Sequence, residues 1–87
     1  MNTRYSCPCC GYLTLKEEPP GSYCICQVCF WEDDPIQSVD PSYRGGANTM
    51  SLDEARRNFE RIGAIEERAL KFVRSPRRDE YPPNDAK

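Results

Sequence analysis

Two cysteine pairs dominate the chemistry open to this 87-residue chain: Cys7-Pro8-Cys9-Cys10 and Cys26-Gln27-Val28-Cys29. Fifteen residues separate Cys10 from Cys26, within the C-x2-C-x15–20-C-x2-C spacing of zinc sites. Two cysteines that flank a two-residue turn can aim both sulfurs at one cation, and a hairpin of this length brings the second pair round to complete a tetrahedron. The expectation is one structural zinc ion per chain, held by Cys7, Cys10, Cys26 and Cys29. Competing uses of the same thiols are an iron ion in the tetrathiolate cage, a disulfide scaffold with fifteen pairings open to six cysteines, and a redox-active Cys-x-x-Cys. The last is the weakest, because neither pair has a helix N-terminus to lower a thiol pKa.

Cys9 and Cys24 are left over. Each lies close to a ligand position and is an alternate thiol for the site; the plainer expectation is a small buried side chain beside the metal. The chain has no histidine, which removes the usual general base and any mixed Cys/His metal site. A zinc with four thiolates has no open position for water, so no catalytic residue is assigned. An enzyme built on Cys9 or Cys24 as nucleophile would need an activating base that the sequence does not offer.

A chain this short buries little apolar surface and needs a staple. Its mean hydropathy of -0.80 fits that need, as do its 38% hydrophobic residues. The formal charge of -2, about -4 with a tetrathiolate zinc, argues against a general affinity for nucleic acid. There is no apolar leader and no run of about 18 apolar residues. A cytoplasmic protein without a membrane partner is expected, and reduced thiols in that compartment favour metal over disulfides.

Several elements must position the cysteines. Tyr12–Lys16 alternates polar and apolar residues and reads as a strand; Glu17–Ser22 has strong turn chemistry; Tyr23–Ile25 reads as the return strand of a hairpin. Residues 32–50, with Pro35, Pro41, Gly45, Gly46 and Asn48, read as a long loop. Ser51 and Glu54 form a capping box, and Leu52, Ala55, Phe59 and Ile62 then share a helix face. Gly63 ends or kinks that helix, and Ile65, Ala69, Phe72 and Val73 continue an apolar stripe to about Arg74. The expected fold is a small α+β metal-stabilised domain over residues 1–74, a zinc-ribbon β-hairpin packed on one C-terminal helix or a kinked helix pair. Phe30, Trp31, Leu52, Phe59, Ile62, Ile65 and Phe72 are its expected shared core. Residues 75–87 read as a disordered tail.

These motifs resemble the cysteine-rich CPCC family of small bacterial proteins. The likeness lies in CPCCGYLTL at 7–15, GSY at 21–23, C-x-V-C-F-W-E-D-D at 26–34 and Y-R-G-G-A-N-x-x-S-L at 43–52. It continues through A-R-x-N-F at 55–59, G-A-I-E-E-R at 63–68 and F-V-R at 72–74, while Cys24 lies outside the pattern. The resemblance implies a small stand-alone protein and specifies no activity.

Two further segments are candidate partner-binding surfaces. Trp31-Glu32-Asp33-Asp34 sets three carboxylates beside a large ring, either as a docking face for a basic partner or as a solvated loop. Tyr43–Asn48 carries Arg44 and two glycines, either as an anion-binding turn or as a crossover that locks helix to ribbon. Arg57, Arg61 and Arg68 alternate with glutamates and read as a solvated, salt-bridged helix face. The function expected is a non-enzymatic zinc-binding protein-interaction module. The alternatives are an immunity or antitoxin-like protein that covers a basic toxin with Glu32–Asp34, and a nucleic-acid-binding ribbon that stacks bases on Tyr12, Tyr23 and Trp31.

Overall fold

The computed structural model describes residues 4–82. Each cysteine pair sits in a tight turn, the first flanked by a pair of strands and the second closed by a single bridge. Around the first turn, β1 (Tyr5–Ser6) pairs antiparallel with β2 (Leu13–Leu15). Tyr5 faces Leu15 while Ser6 faces Leu13, so β2 carries one extra residue, Thr14, as a bulge. A bulge re-aims a side chain, and here it turns the Thr14 hydroxyl onto Cys26 Sγ at 3.0 Å.

Around the second turn, Ile25 bridges Glu32, the Tyr23 amide donates to Asp33 O at 2.9 Å and the Asp33 amide to Cys24 O at 3.0 Å. The expected hairpin between Tyr12–Lys16 and Tyr23–Ile25 is therefore replaced by two, one around each cysteine turn, with Tyr5–Ser6 as the partner of the first.

The two turns share one bonding pattern. Gly11 N donates to Cys7 O at 2.9 Å and Phe30 N to Cys26 O at 2.8 Å; Cys7 N donates to Tyr12 O and Cys26 N to Trp31 O, each at 2.9 Å. Gly11 (φ 83) and Phe30 (φ 78) close them in the left-handed region, which glycine enters freely and phenylalanine only at a cost. Phe30 is held there with its ring stacked on Phe72 at 5.2 Å.

The long segment that follows is built rather than loose. α1 (Pro35–Val39) starts at Asp34, whose side chain accepts from the amides of Ile36 and Gln37, with Pro35 in its first turn. Gln37, fully buried, donates to the carbonyls of Tyr43, Asn48 and Met50 at 3.0–3.1 Å and accepts from Asn48. Asn48 in turn exchanges two bonds with the Glu32 backbone, 2.9 Å to its amide and 2.8 Å to its carbonyl. These amides satisfy a chain reversal that makes no ladder of its own.

α2 (Leu52–Ile62) has the expected capping box from Ser51 and Glu54, and Gly63 ends it in the left-handed conformation at φ 87. It is one helix followed by a short 3₁₀ helix, Glu67–Phe72. Of the expected core, Trp31, Leu52 and Ile65 are buried, along with Leu15, Val28, Ala55, Ala64 and Ala69. Phe30 and Phe59 are only partly buried, Ile62 is intermediate and Phe72 stays exposed, its ring stacked on Phe30.

The helical half grips both cysteine turns. Arg56 donates to Pro8 O through Nε and Nη2 at 3.0 and 2.9 Å. Ile65 N donates to Cys29 O at 3.0 Å and Arg74 N to Gln27 O at 3.1 Å. Of the segment expected to be disordered, residues 75–82 have defined contacts: Arg78–Glu80 makes a 3₁₀ turn, Glu80 is buried and Tyr81 meets the Tyr12 ring at 5.1 Å. The remainder of that expectation, 83–87, lies outside the described residues.

Candidate metal centre

Four sulfurs converge where the two turns face each other. The Sγ atoms of Cys7, Cys10, Cys26 and Cys29 all lie within 4.8 Å of one another. The shortest approaches cross between turns, Cys7 to Cys29 at 3.6 Å and Cys10 to Cys26 at 3.7 Å. A tetrahedron with metal–sulfur bonds of about 2.3 Å has edges of about 3.8 Å, so the cage has the size of a tetrathiolate site. A disulfide needs about 2.05 Å, and all six cysteines are free.

Backbone amides complete the setting. Cys9 N and Val28 N lie 3.4 Å from Cys7 Sγ and Cys26 Sγ, at matching positions in the two turns. Cys29 N reaches Cys26 Sγ at 3.5 Å and Trp31 N reaches Cys29 Sγ at 3.4 Å. Such donors suit thiolates, whose negative charge they partly offset. Cys7, Cys26 and Cys29 are buried and Cys10 is half-buried.

The protonation pattern without a cation is uneven. Hydrogen bonding to Cys10, then to Cys26, pushes the Cys7 thiol up, and hydrogen bonding to Cys26 does the same for Cys10. Cys26, accepting first from Cys10 and also from Cys29, Cys7 and Thr14, lies far below the usual thiol value. Four thiolates this close repel one another, and a divalent cation at the centre removes that repulsion. The donor set therefore fits a metal ion.

The leftover thiols fall outside the cage. Cys9 contributes its amide, and its side chain is half-buried; Cys24, also half-buried, lines a cleft with Arg74 and Arg77.

The acidic candidate surface is overturned by burial. Trp31 and Asp33 are fully buried and Asp34 is 6% exposed, so they cannot face a partner. Asp33 accepts from the Ser22 amide at 2.9 Å and hydroxyl at 2.6 Å. Asp34 caps α1 and takes the Ala47 amide at 2.8 Å. Its burial favours the neutral acid, but the amides of Ala47, Gln37 and Ile36 outweigh it and hold the carboxyl below its ordinary value. Glu32 is half-buried and tied to Asn48 through its backbone. Arg44 is exposed and pairs with Glu54 at 3.1 Å, which ties the crossover to the start of α2. Sequence reasoning missed α1 and the Gln37–Asn48 network; Asp34-Pro35, a capping residue before a first-turn proline, was the available signal.

The fold and the sulfur cage together define a small α+β domain with a cluster of four cysteines able to hold a metal ion. The chain belongs to the cysteine-rich CPCC family, whose model matches residues 5–80 and so spans both cysteine turns, α2 and Glu80. No curated protein matches the chain. Among the described residues, no helix is long and apolar enough to cross a membrane.

Proposed function

We propose that the protein is a non-enzymatic module stabilised by one structural zinc ion on Cys7, Cys10, Cys26 and Cys29, and that it serves by presenting a surface to another protein. The observation that carries the metal assignment is the sulfur cage, with cross-turn spacings of 3.6 and 3.7 Å. Zinc is the first-row ion that takes four thiolates in a tetrahedron without redox chemistry. Four protein ligands leave no position for substrate or water, so the metal's role is to hold the fold. Binding of such an ion contributes on the order of 10 kcal/mol, as much as a small domain's whole stability.

The partner surface finds support in exposed apolar side chains. Ile25 and Phe72 are 47% and 58% exposed, and Phe30 lines a shallow cleft with each of them. The toxin-neutralising version loses its support, because Asp33 and Asp34 are used inside the fold. The base-stacking version loses Trp31 to the core, and Tyr12 is packed between Phe59 and Tyr81.

Native mass spectrometry with elemental analysis, on protein purified without added metal, tests the assignment. One zinc per chain is expected in the wild type and in the C9S and C24S variants, and none in C26S. Iron in place of zinc, or a metal-free chain lighter by pairs of hydrogens, overturns it. A co-purifying protein lost on I25D substitution is the expected sign of the partner surface.

A further inference from the structure

A cleft of about 540 Å³ opens between the first hairpin and the C-terminal segment, lined by Arg4, Lys16, Arg74 and Arg77 with Tyr23 and Ile25. No carboxylate lines it among the described residues, in a chain whose net charge is -2. Lys16 and Arg77 are exposed, and neither they nor Arg4 pairs with an acid among the described residues. Arg74 is committed through its two Nη atoms to Glu80 at 2.9 and 2.8 Å, with Asp79 also acting on it. The other negative charge facing the cleft is the sulfur cage, since Thr14 lines it and donates to Cys26 Sγ. A zinc tetrathiolate carries two formal negative charges. Set against these, Glu80 and Asp79, the four cations balance in number, so what the concave wall offers is not a net charge but the donors of Lys16, Arg77 and Arg4, none paired with an acid among the described residues.

We propose that this cleft binds a small phosphate-bearing ligand, with Lys16 and Arg77 supplying direct contacts and Arg4 closing the wall. The volume falls within the range of small-molecule sites. Guanidinium and ammonium donors free of carboxylate partners suit phosphate oxygens. The inference does not depend on which metal fills the cage, only on the folded chain. Tyr23, 53% exposed and fixed at φ 59, stands at the cleft as a flat apolar surface for the ligand's remainder.

The test is a titration of the metal-loaded full chain with pyrophosphate at constant ionic strength, followed by amide chemical shifts. Saturable shifts confined to Arg4 and to residues 14–27 and 74–77 are expected. K16A and R77A alter exposed side chains, and each should weaken binding about tenfold, while R61A on α2 leaves it unchanged. Shifts that are absent, that follow every arginine segment including α2, or that survive K16A and R77A overturn the proposal. A response to a short single-stranded oligonucleotide but not to pyrophosphate overturns it as well.

Discussion

Gly11 and Gly46 are both glycines for reasons of space or backbone, yet the reasons differ and so do the expected costs. At Gly11 a Cβ would meet nothing within 4 Å, but φ is +83. G11A should therefore lose about 1 kcal/mol from backbone strain alone. At Gly46 a Cβ would lie 2.7 Å from Asp34 Oδ2 and 2.9 Å from Gln37 Cδ. G46A presses on the α1 cap and the buried amide together, and about 2–3 kcal/mol is expected. Gln37 is the most exacting residue of the group. Q37A strips donors from three carbonyls and an acceptor from Asn48 in a buried setting, and should cost about 3 kcal/mol or more. Denaturant unfolding of the metal-loaded proteins at pH 7 ranks the three, and a Q37A cost below that of G11A would contradict the network's role.

At the scale of elements, the C-terminal segment is fastened by one ion pair that pH can release. Glu80 is 3% exposed, and its bond to Arg74, reinforced by the Arg77 amide at 2.8 Å, lowers its carboxyl to about 2. A carboxyl depressed on folding adds stability above its unfolded value, near 4.5, and loses it as pH falls toward 2. An E80Q variant should thus be less stable than wild type by a constant amount from pH 7 to about pH 5.5. That gap should narrow below about pH 4.5. Both proteins carry the same sulfur cage, whose own acid sensitivity cancels in the difference. A gap that widens with acid would show that Arg74 and Glu80 are not the fastening. α2 behaves differently: its capping box and Gly63 make it a locally defined helix, and beside its buried Leu52 and Ala55 its polar ties include Arg56 to Pro8 and Asn58 to the Ile65 carbonyl at 2.8 Å. R56A should lower stability by about 1–2 kcal/mol by freeing the Pro8 carbonyl and letting α2 drift from the first turn.

For the whole molecule, the parts readable in the sequence were those written in local chemistry. The four cage cysteines stand at a fixed spacing, and the cap and stop of α2 lie within a dozen residues of each other. What could not be read depended on pairing between distant segments. Thr14 looked like one outward position of a regular strand, and only the bulge opposite Tyr5 and Ser6 turns it to Cys26. Asp33 and Asp34 looked like surface, since nothing local says that Ser22 and Ala47 return to satisfy the acids. Glu80 sat in a charged, proline-rich tail whose composition suggests disorder, and its partner Arg74 is six residues away. Composition describes the average segment, and one bidentate contact is enough to make a segment atypical.

The two cysteine turns have the same backbone bonds, and their closest sulfur contacts run from one turn to the other. Neither turn holds a complete ligand set, and the helical half touches both at Pro8, Gln27 and Cys29. The free energy of assembling these three pieces is therefore contained in the metal dissociation constant. A titration of metal into R56A is thus also a measurement of helix docking, and a tenfold weaker constant reports about 1.4 kcal/mol of lost assembly. For this protein, affinity for its ion is a gauge of the cohesion of residues more than forty positions away.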